Sequence, residues 1–148
     1  MAYNVIQVAN RIVPLSSPEV GDVISNLKLQ KLLYYVQGFH LAMYDKPLFD
    51  EDIYAWQYGP VVQEAYHHFK EYGSKQIEIN DEDFKKYYVE LSDNEKELIF
   101  DVWNNYGQYS GYRLMMFTHD EPPYKTTKIN HVISHDKLKA YFKTQIEE

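Results

Sequence analysis

Residues 26–44 decide the fold of this chain, and they read NLKLQKLLYYVQGFHLAMY. Apolar side chains recur there at helical spacing, which predicts a helix from Leu27 to about Tyr44, capped by Ser25 or Asn26. A helix that is apolar on nearly every side is surrounded by other elements. The sequence therefore predicts a mainly α, compact fold around this central helix. Its apolar stripe contains Leu29, Leu32, Leu33, Val36, His40 and Met43, and is widened by Leu27, Tyr34 and Phe39.

Two lysines interrupt the central helix. Lys28 and Lys31 share its remaining face with Tyr35, at positions i, i+3 and i+7. Such lysines can lie along apolar surface with the ammonium group in water, pair with carboxylates, or face a partner. A buried charge without a partner is costly. We therefore expect at least one of the two ammonium groups to pair with a carboxylate or with backbone carbonyls.

The rest of the chain predicts shorter helices and one or two short strands, with residues 1–148 forming a single domain. Helices are predicted up to about Pro14, from Val61 to about Tyr72, from Ser92 to Gly107, from Ser110 to Phe117 and from Ser134 onward. Pro60 is expected in the first turn of the second of these, which would stop at Gly73. Strands are favoured at Leu48 to Trp56 and around Ile77 and Ile79, and a proline-stiffened loop at Thr118 to Thr127.

Charge and composition restrict the class of function. The chain has 148 residues and a net charge of −7. Binding to phosphates needs clustered Lys and Arg, so we expect no direct binding of nucleic acid. Residues 78–101 hold nine acids against three lysines, and this acidic segment can steer a basic partner or simply maintain solubility. The absence of cysteine excludes thiol catalysis and disulfides and fits the cytoplasm, and no apolar run is long enough to predict a membrane span.

Candidate catalytic groups are few. His119, Asp120 and Glu121 form the best acid–base cluster, in which His119 could be a base oriented by an acid. The sequence shows no nucleophile elbow, phosphate-binding glycine loop or thiol to work with it. We therefore expect His119 to be structural, forming a hydrogen bond across the core that fixes its loop. His131 and His135 have helical metal spacing, but Ser134 is the predicted cap between them, so no metal and no cofactor is expected.

Three ordered motifs resemble those of one family, the Panacea domain, also described as SocA-like or phage-associated GepA-like antitoxins. The first motif is KLQKLLYY at residues 28–35, which includes Gln30. The second is KPLF at residues 46–49 with AWQYGP at 55–60, which includes Gly59 and Pro60. The third is THDEPPY at 118–124, with His119 and Pro123, where Tyr124 stands at a position that is most often Trp in the family.

The resemblance implies an antitoxin of a toxin–antitoxin pair, which neutralises a co-encoded protein toxin by direct binding and is not an enzyme. One alternative it implies is a proteolytic adaptor that delivers a toxin or another client to an ATP-dependent protease. A second alternative, from another class, is a small hydrolase or transferase that uses His119. For the binding role we expect Trp56 to be mainly core and Tyr58 and Tyr35 to be partly exposed and to contact the toxin, with Lys28 and Lys31 as further contacts.

Overall fold

The computed structural model describes residues 2–146, which form eight α-helices, three short strands and three single-turn 3-10 helices. The mainly α fold class is confirmed, although the strands number three rather than one or two. The helices are α1 (Val5–Ile12), α2 (Asn26–Tyr44), α3 (Gln63–His68), α4 (Asp81–Lys86), α5 (Asp93–Tyr106), α6 (Gly111–His119), α7 (Pro122–Lys125) and α8 (His135–Lys143). The strands are β1 (Ile53–Trp56), β2 (Gly59–Val61) and β3 (Val132–Ile133), and the 3-10 helices cover Val13–Leu15, Pro18–Val20 and Lys70–Tyr72.

Helix α2 is the centre of the fold, as the sequence predicts. Its N-terminus is capped by Ser25, whose hydroxyl accepts a hydrogen bond from the Lys28 N–H, and it ends at Asp45 in a left-handed conformation. Helices α1, α5, α6 and α8 pack around it. At the crossing with α8, the Phe142 ring lies only 2.2 Å from where a Cβ on Gly38 would stand. The missing side chain therefore lets the two helices approach closely.

Within residues 2–146, the segment after α2 forms only a single β-bridge, between Phe49 and Tyr3, before β1 begins at Ile53, although the sequence predicts a strand over Leu48 to Trp56. The Gln37 side chain donates to the Phe49 carbonyl at 2.8 Å and accepts from the Leu48 N–H at 2.7 Å. Because a buried side chain takes these backbone groups, they are not available to a sheet ladder. Regular pairing therefore begins only at Ile53.

The small sheet has the order β2-β1-β3, and both pairings are antiparallel. Strands β1 and β2 form a hairpin through Gln57 and Tyr58, with Trp56 opposite Gly59 and Ala55 opposite Pro60. The prediction that Pro60 begins a helix is wrong. Proline lacks an N–H but is tolerated in an edge strand, and β2 is an edge strand. The pairing of Val61 with Tyr54 delays the next helix to Gln63.

Other boundaries follow local chemistry. Ser92 caps α5 through the predicted capping box with Glu95, and Ser110 and Ser134 cap α6 and α8 as predicted. No strand forms at Ile77, whose N–H instead donates to the Ile24 carbonyl at 3.0 Å. The predicted loop after α6 contains the short helix α7, which starts with two prolines at positions that need no N–H partner. None of the helices in residues 2–146 is both long and apolar enough to cross a bilayer.

Candidate functional site: an aromatic groove beside the central helix

The site is a groove between the first half of α2, the β1–β2 hairpin and α3. Its volume is about 440 Å³. Trp56 and Tyr66 face each other in a T-shaped contact with ring centroids 5.2 Å apart, and Tyr58 stands at the tip of the hairpin. We call this feature the aromatic groove. Its lining includes Leu27, Lys31, Trp56, Tyr58, Val61, Tyr66 and Lys70.

The side chains of Asn26 and Gln30 extend from α2 and hold the opposite wall of the groove by hydrogen bonds. The Gln30 side chain donates to Oδ1 of the Asn26 side chain and accepts from the Val62 N–H, each at 2.9 Å. Asn26 in turn donates to the Tyr66 carbonyl at 3.0 Å. All of these hydrogen bonds are buried or partly buried, so breaking one leaves a polar group without a partner. The wall that carries Val61 and Tyr66 is therefore fixed in position.

Lys31 lies beneath the hairpin and is fully buried. Its ammonium group donates to the Pro60 carbonyl at 3.2 Å, and a Cβ on Gly59 would come within 2.6 Å of its Cε. Gly59 has a φ of 104°, a conformation that side chains disfavour, so both its backbone and the lysine beneath it require glycine. Burial lowers the pKa of Lys31 to about 7.

Lys28 is buried about one turn before Lys31 on the same face of α2, and it reaches the chain at the end of α5. Its ammonium group donates to the Gly107 carbonyl at 2.6 Å, stands 3.8 Å from an Asp22 oxygen and lies over the Trp103 ring. Burial lowers its pKa, and the Asp22 carboxylate partly opposes that shift. Both lysines bond backbone carbonyls, as the sequence analysis expects. Both are also buried, so neither forms a surface contact here.

The two aromatic residues of the hairpin differ in exposure. Tyr58 is 61% exposed, in agreement with the sequence analysis. Trp56 is half-buried rather than mainly core. Its carbonyl accepts a hydrogen bond from the Tyr124 hydroxyl at 2.6 Å, which ties the hairpin to α7. The Tyr124 hydroxyl therefore anchors the hairpin that lines the groove.

The expectation that Tyr35 is partly exposed is wrong, because it is 0% exposed. Its ring stacks on Tyr106 at 4.0 Å, and its hydroxyl donates to Glu121 at 2.8 Å. The Tyr34 hydroxyl donates to the other Glu121 oxygen at 2.9 Å. Periodicity could not reveal this arrangement, because Glu121 comes from the turn before α7, more than 80 residues along the chain.

Glu121 is a half-buried carboxyl group, for which the sequence indicates only a possible role as the partner of His119. Burial raises its pKa to about 7, and the hydrogen bonds from Tyr35 and Tyr34 oppose that shift. The carboxyl group joins α2 to the turn before α7. Two adjacent tyrosines inside a buried helix are the only sequence signal for such an acceptor, since buried hydroxyls need a partner.

His119 does not form the expected hydrogen bond across the core. Its ring stacks on Tyr124 at 4.7 Å, and its buried Nε2 has no hydrogen-bond partner within residues 2–146. Its loop is fixed by other groups, namely the Tyr124 hydroxyl, the buried Pro123 ring and the Glu121 carboxylate. A histidine oriented by an acid, which the hydrolase alternative requires, is not assembled among these residues.

Fold and groove together define a small helical protein with a partly exposed aromatic groove over a rigid polar support. Residues 29–125, about two-thirds of the chain, match the family described as Antitoxin SocA-like, Panacea domain. The chain belongs to this family. The match contains α2 from Leu29 onward, the strands β1 and β2 and the turn that carries Glu121, and so includes most of the groove.

One curated relative is Antitoxin SocA of Caulobacter vibrioides (strain NA1000 / CB15N). It is 44% identical to this chain over 54 residues, which cover 36% of this chain and 29% of that protein. The chain thus matches less than a third of the length of this relative. No solved structure matches the chain.

Proposed function

We propose that this chain is a cytoplasmic antitoxin that neutralises a co-encoded protein toxin by direct contact, without catalysis. The observation that carries the proposal is the aromatic groove, where exposed Tyr58 stands beside Trp56 and Tyr66 on a fixed support. Membership of the Antitoxin SocA-like family and the name of the Caulobacter relative support the same role.

The groove suits a protein partner for physical reasons. Tyr and Trp are the side chains most enriched among residues that dominate binding free energy. They also lose little conformational entropy when the support is already rigid. Here Gln30, Lys31 and Tyr124 hold the backbone on either side of the hairpin tip. A toxin segment that enters the groove would be occluded or trapped in an inactive conformation.

The buried motif residues have a different role in this proposal. Lys31, Gln30, Gly59 and Pro60 position the hairpin, whereas Tyr35 and Lys28 hold α2 against α5 and the chain around Gly107. Their substitution would act on the partner through the shape of the groove. The direct contacts are assigned to Trp56, Tyr58 and Tyr66.

The test compares two tyrosines of equal exposure. Tyr58→Ala is expected to weaken binding to the product of the adjacent toxic gene by about 30-fold, the effect of losing about 2 kcal/mol at an energetic hot spot. Tyr112→Ala is the control, because Tyr112 is 62% exposed and lies on α6 outside the groove lining. Affinity is measured by calorimetry, together with melting temperature and protection of cells. Equal affinities for the two variants would contradict the proposed surface.

A host lacking the ATP-dependent protease separates neutralisation from delivery. A direct neutraliser protects such cells fully, whereas a proteolytic adaptor loses protection even though it still binds its client. Protection that persists without the protease is the expected result. Toxicity of the adjacent gene product alone must be established first, since the proposal requires a toxin.

A further inference from the structure

We infer that the aromatic groove is built for a partner segment in which an apolar or aromatic side chain is flanked by acidic residues. This inference rests on the proposed function and adds the chemistry of the segment that enters the groove. It is carried by the sign of the charges around an otherwise apolar site.

The groove differs from the rest of the molecule in charge. The whole chain has a net charge of −7, and residues 78–101 alone hold nine acids against three lysines. Yet the charged residues in the groove lining are Lys31 and Lys70. Glu71, the neighbour of Lys70 in the chain, is not in this lining. An acidic protein therefore presents a locally cationic groove, which complements an acidic segment and disfavours a basic one.

The two lysines lie at different depths. Lys70 is exposed at the rim, where a carboxylate of the partner can reach it directly. Lys31 is fully buried beneath the hairpin, and its ammonium group uses one of its three N–H donors to bond the Pro60 carbonyl. No carboxylate of residues 2–146 stands within ion-pair distance of it. In its protonated form, which predominates below its pKa of about 7, Lys31 has no ion-pair partner among these residues, and its charge acts through a poorly screening interior.

The apolar wall determines what accompanies the acids. Leu27, Trp56, Val61 and Tyr66 line the groove together with the two lysines, and about 440 Å³ is room for a large side chain. Trp56 and Tyr66 already contact each other edge to face, with ring centroids 5.2 Å apart, so an incoming aromatic ring would pack against the solvent side of this pair. The groove thus favours a ring or a branched aliphatic group with a carboxylate next to it in the chain.

The first experiment needs no toxin. Two blocked tripeptides serve as probes, one with phenylalanine between two aspartates and the other with phenylalanine between two asparagines. Binding is followed by NMR through the backbone amides of Tyr58 and Tyr66. The aspartate peptide is expected to bind at least about threefold more tightly, the effect of one exposed ion pair. Equal binding, tighter binding of the asparagine peptide, or shifts confined to other surfaces would overturn the inference.

The second experiment uses the toxin. Lys70→Glu is expected to weaken its binding by about tenfold, since it replaces an attraction by a repulsion. Lys143→Glu, an exposed change on α8 outside the groove lining, is the control and should leave affinity within about twofold. If Tyr58→Ala weakens binding and Lys70→Glu does not, the charge inference fails and the proposed surface stands. If neither weakens binding, the proposed surface fails as well.

Discussion

At the scale of single residues, two ionisable groups, one fully buried and one half-buried, have no opposite charge within ion-pair distance in residues 2–146. Lys31 bonds one backbone carbonyl, and Glu121 accepts hydrogen bonds from two tyrosine hydroxyls. Burial lowers the pKa of Lys31 to about 7 and raises that of Glu121 to about 7. Both groups therefore reduce stability in their charged forms. Such groups concentrate at functional sites, and Lys31 lies directly under the aromatic groove.

Lys31→Met should stabilise the protein and weaken toxin binding at the same time. Replacing a buried charge by an apolar group of similar length removes a desolvation cost, and the gain in unfolding free energy should be about 1 kcal/mol near pH 6. The unfolded lysine titrates at its ordinary pKa and the folded one near 7. The penalty in the native protein is therefore complete below pH 7 and disappears as the pH rises toward 10.5.

Urea denaturation at pH 6 and pH 9.5 measures this effect. The advantage of Lys31→Met should be largest at pH 6 and shrink at pH 9.5. Lys70→Met is the matched control, because Lys70 is exposed and its removal should change stability by less than about 0.5 kcal/mol at either pH. A Lys31→Met variant that is less stable at pH 6 would show that the bond to Pro60 outweighs the cost of burial.

At the scale of elements, the groove depends on how α2 is clamped between its neighbours. On one side Asn26, Gln30 and Lys31 hold the chain from Pro60 to Tyr66. On another side, Gly38 admits the Phe142 ring of α8. The hairpin turns at Gly59, in a backbone conformation that glycine tolerates. Short strands of two to four residues would not be stable alone, so these contacts hold the hairpin.

Gly38→Ala should separate α2 from α8. The added Cβ would lie 2.2 Å from the Phe142 ring, so one helix must move, and such overpacking costs about 1–3 kcal/mol. The expected result is a melting temperature lower by about 4–10 °C. Scanning calorimetry provides the measurement. The double variant Gly38→Ala with Phe142→Leu should lose less stability than the sum of the losses of the two single variants. Losses that add strictly would show that the contact between Gly38 and Phe142 does not cause the destabilisation.

At the scale of the whole molecule, the interior groups should shape the dependence of stability on pH. The pKa of Glu121 in the folded protein is raised above its value in the unfolded chain. Its contribution to the free energy of unfolding is therefore complete below about pH 4.5 and is lost as the pH rises through 7. The pKa of Lys31 in the folded protein is lowered, so the loss of stability caused by its buried charge is relieved only above pH 7. Together they predict a decline in stability from pH 4.5 to 7 and a recovery at higher pH.

Glu121→Gln should flatten the decline, because the amide does not ionise. Between pH 5 and 7 the difference in unfolding free energy between the variant and the parent protein should increase in favour of the variant, by at most about 1.4 kcal/mol per pH unit. Urea denaturation at half-unit pH steps measures it. Glu97→Gln, an exposed change on α5, serves as the control and should leave the pH profile unchanged. Parallel profiles for Glu121→Gln and the parent protein would contradict the assignment.

Local chemistry alone determined a large part of this protein. Helix α2 was predictable because its apolar period is continuous, and the caps at Ser92, Ser110 and Ser134 because a serine hydroxyl satisfies N–H groups within one turn. At least one of Lys28 and Lys31 was expected to pair with a carboxylate or with backbone carbonyls, and both bond backbone carbonyls, since an interior charge needs an acceptor. The three ordered motifs also indicated the family, because they contain the residues that hold α2 to its neighbours.

Only the tertiary structure decided which residues the motif side chains contact and whether they are buried. Pro60 lies in an edge strand because Val61 pairs with Tyr54, a contact that no periodicity encodes. Tyr35 is buried because Glu121, 86 residues away, accepts its hydroxyl and Tyr106 covers its ring. The aromatic groove exists because α2, the hairpin and α3 meet there. Long-range packing and burial of polar groups outweigh local preference at these positions, since an unmet buried hydrogen bond costs more than a change of local conformation.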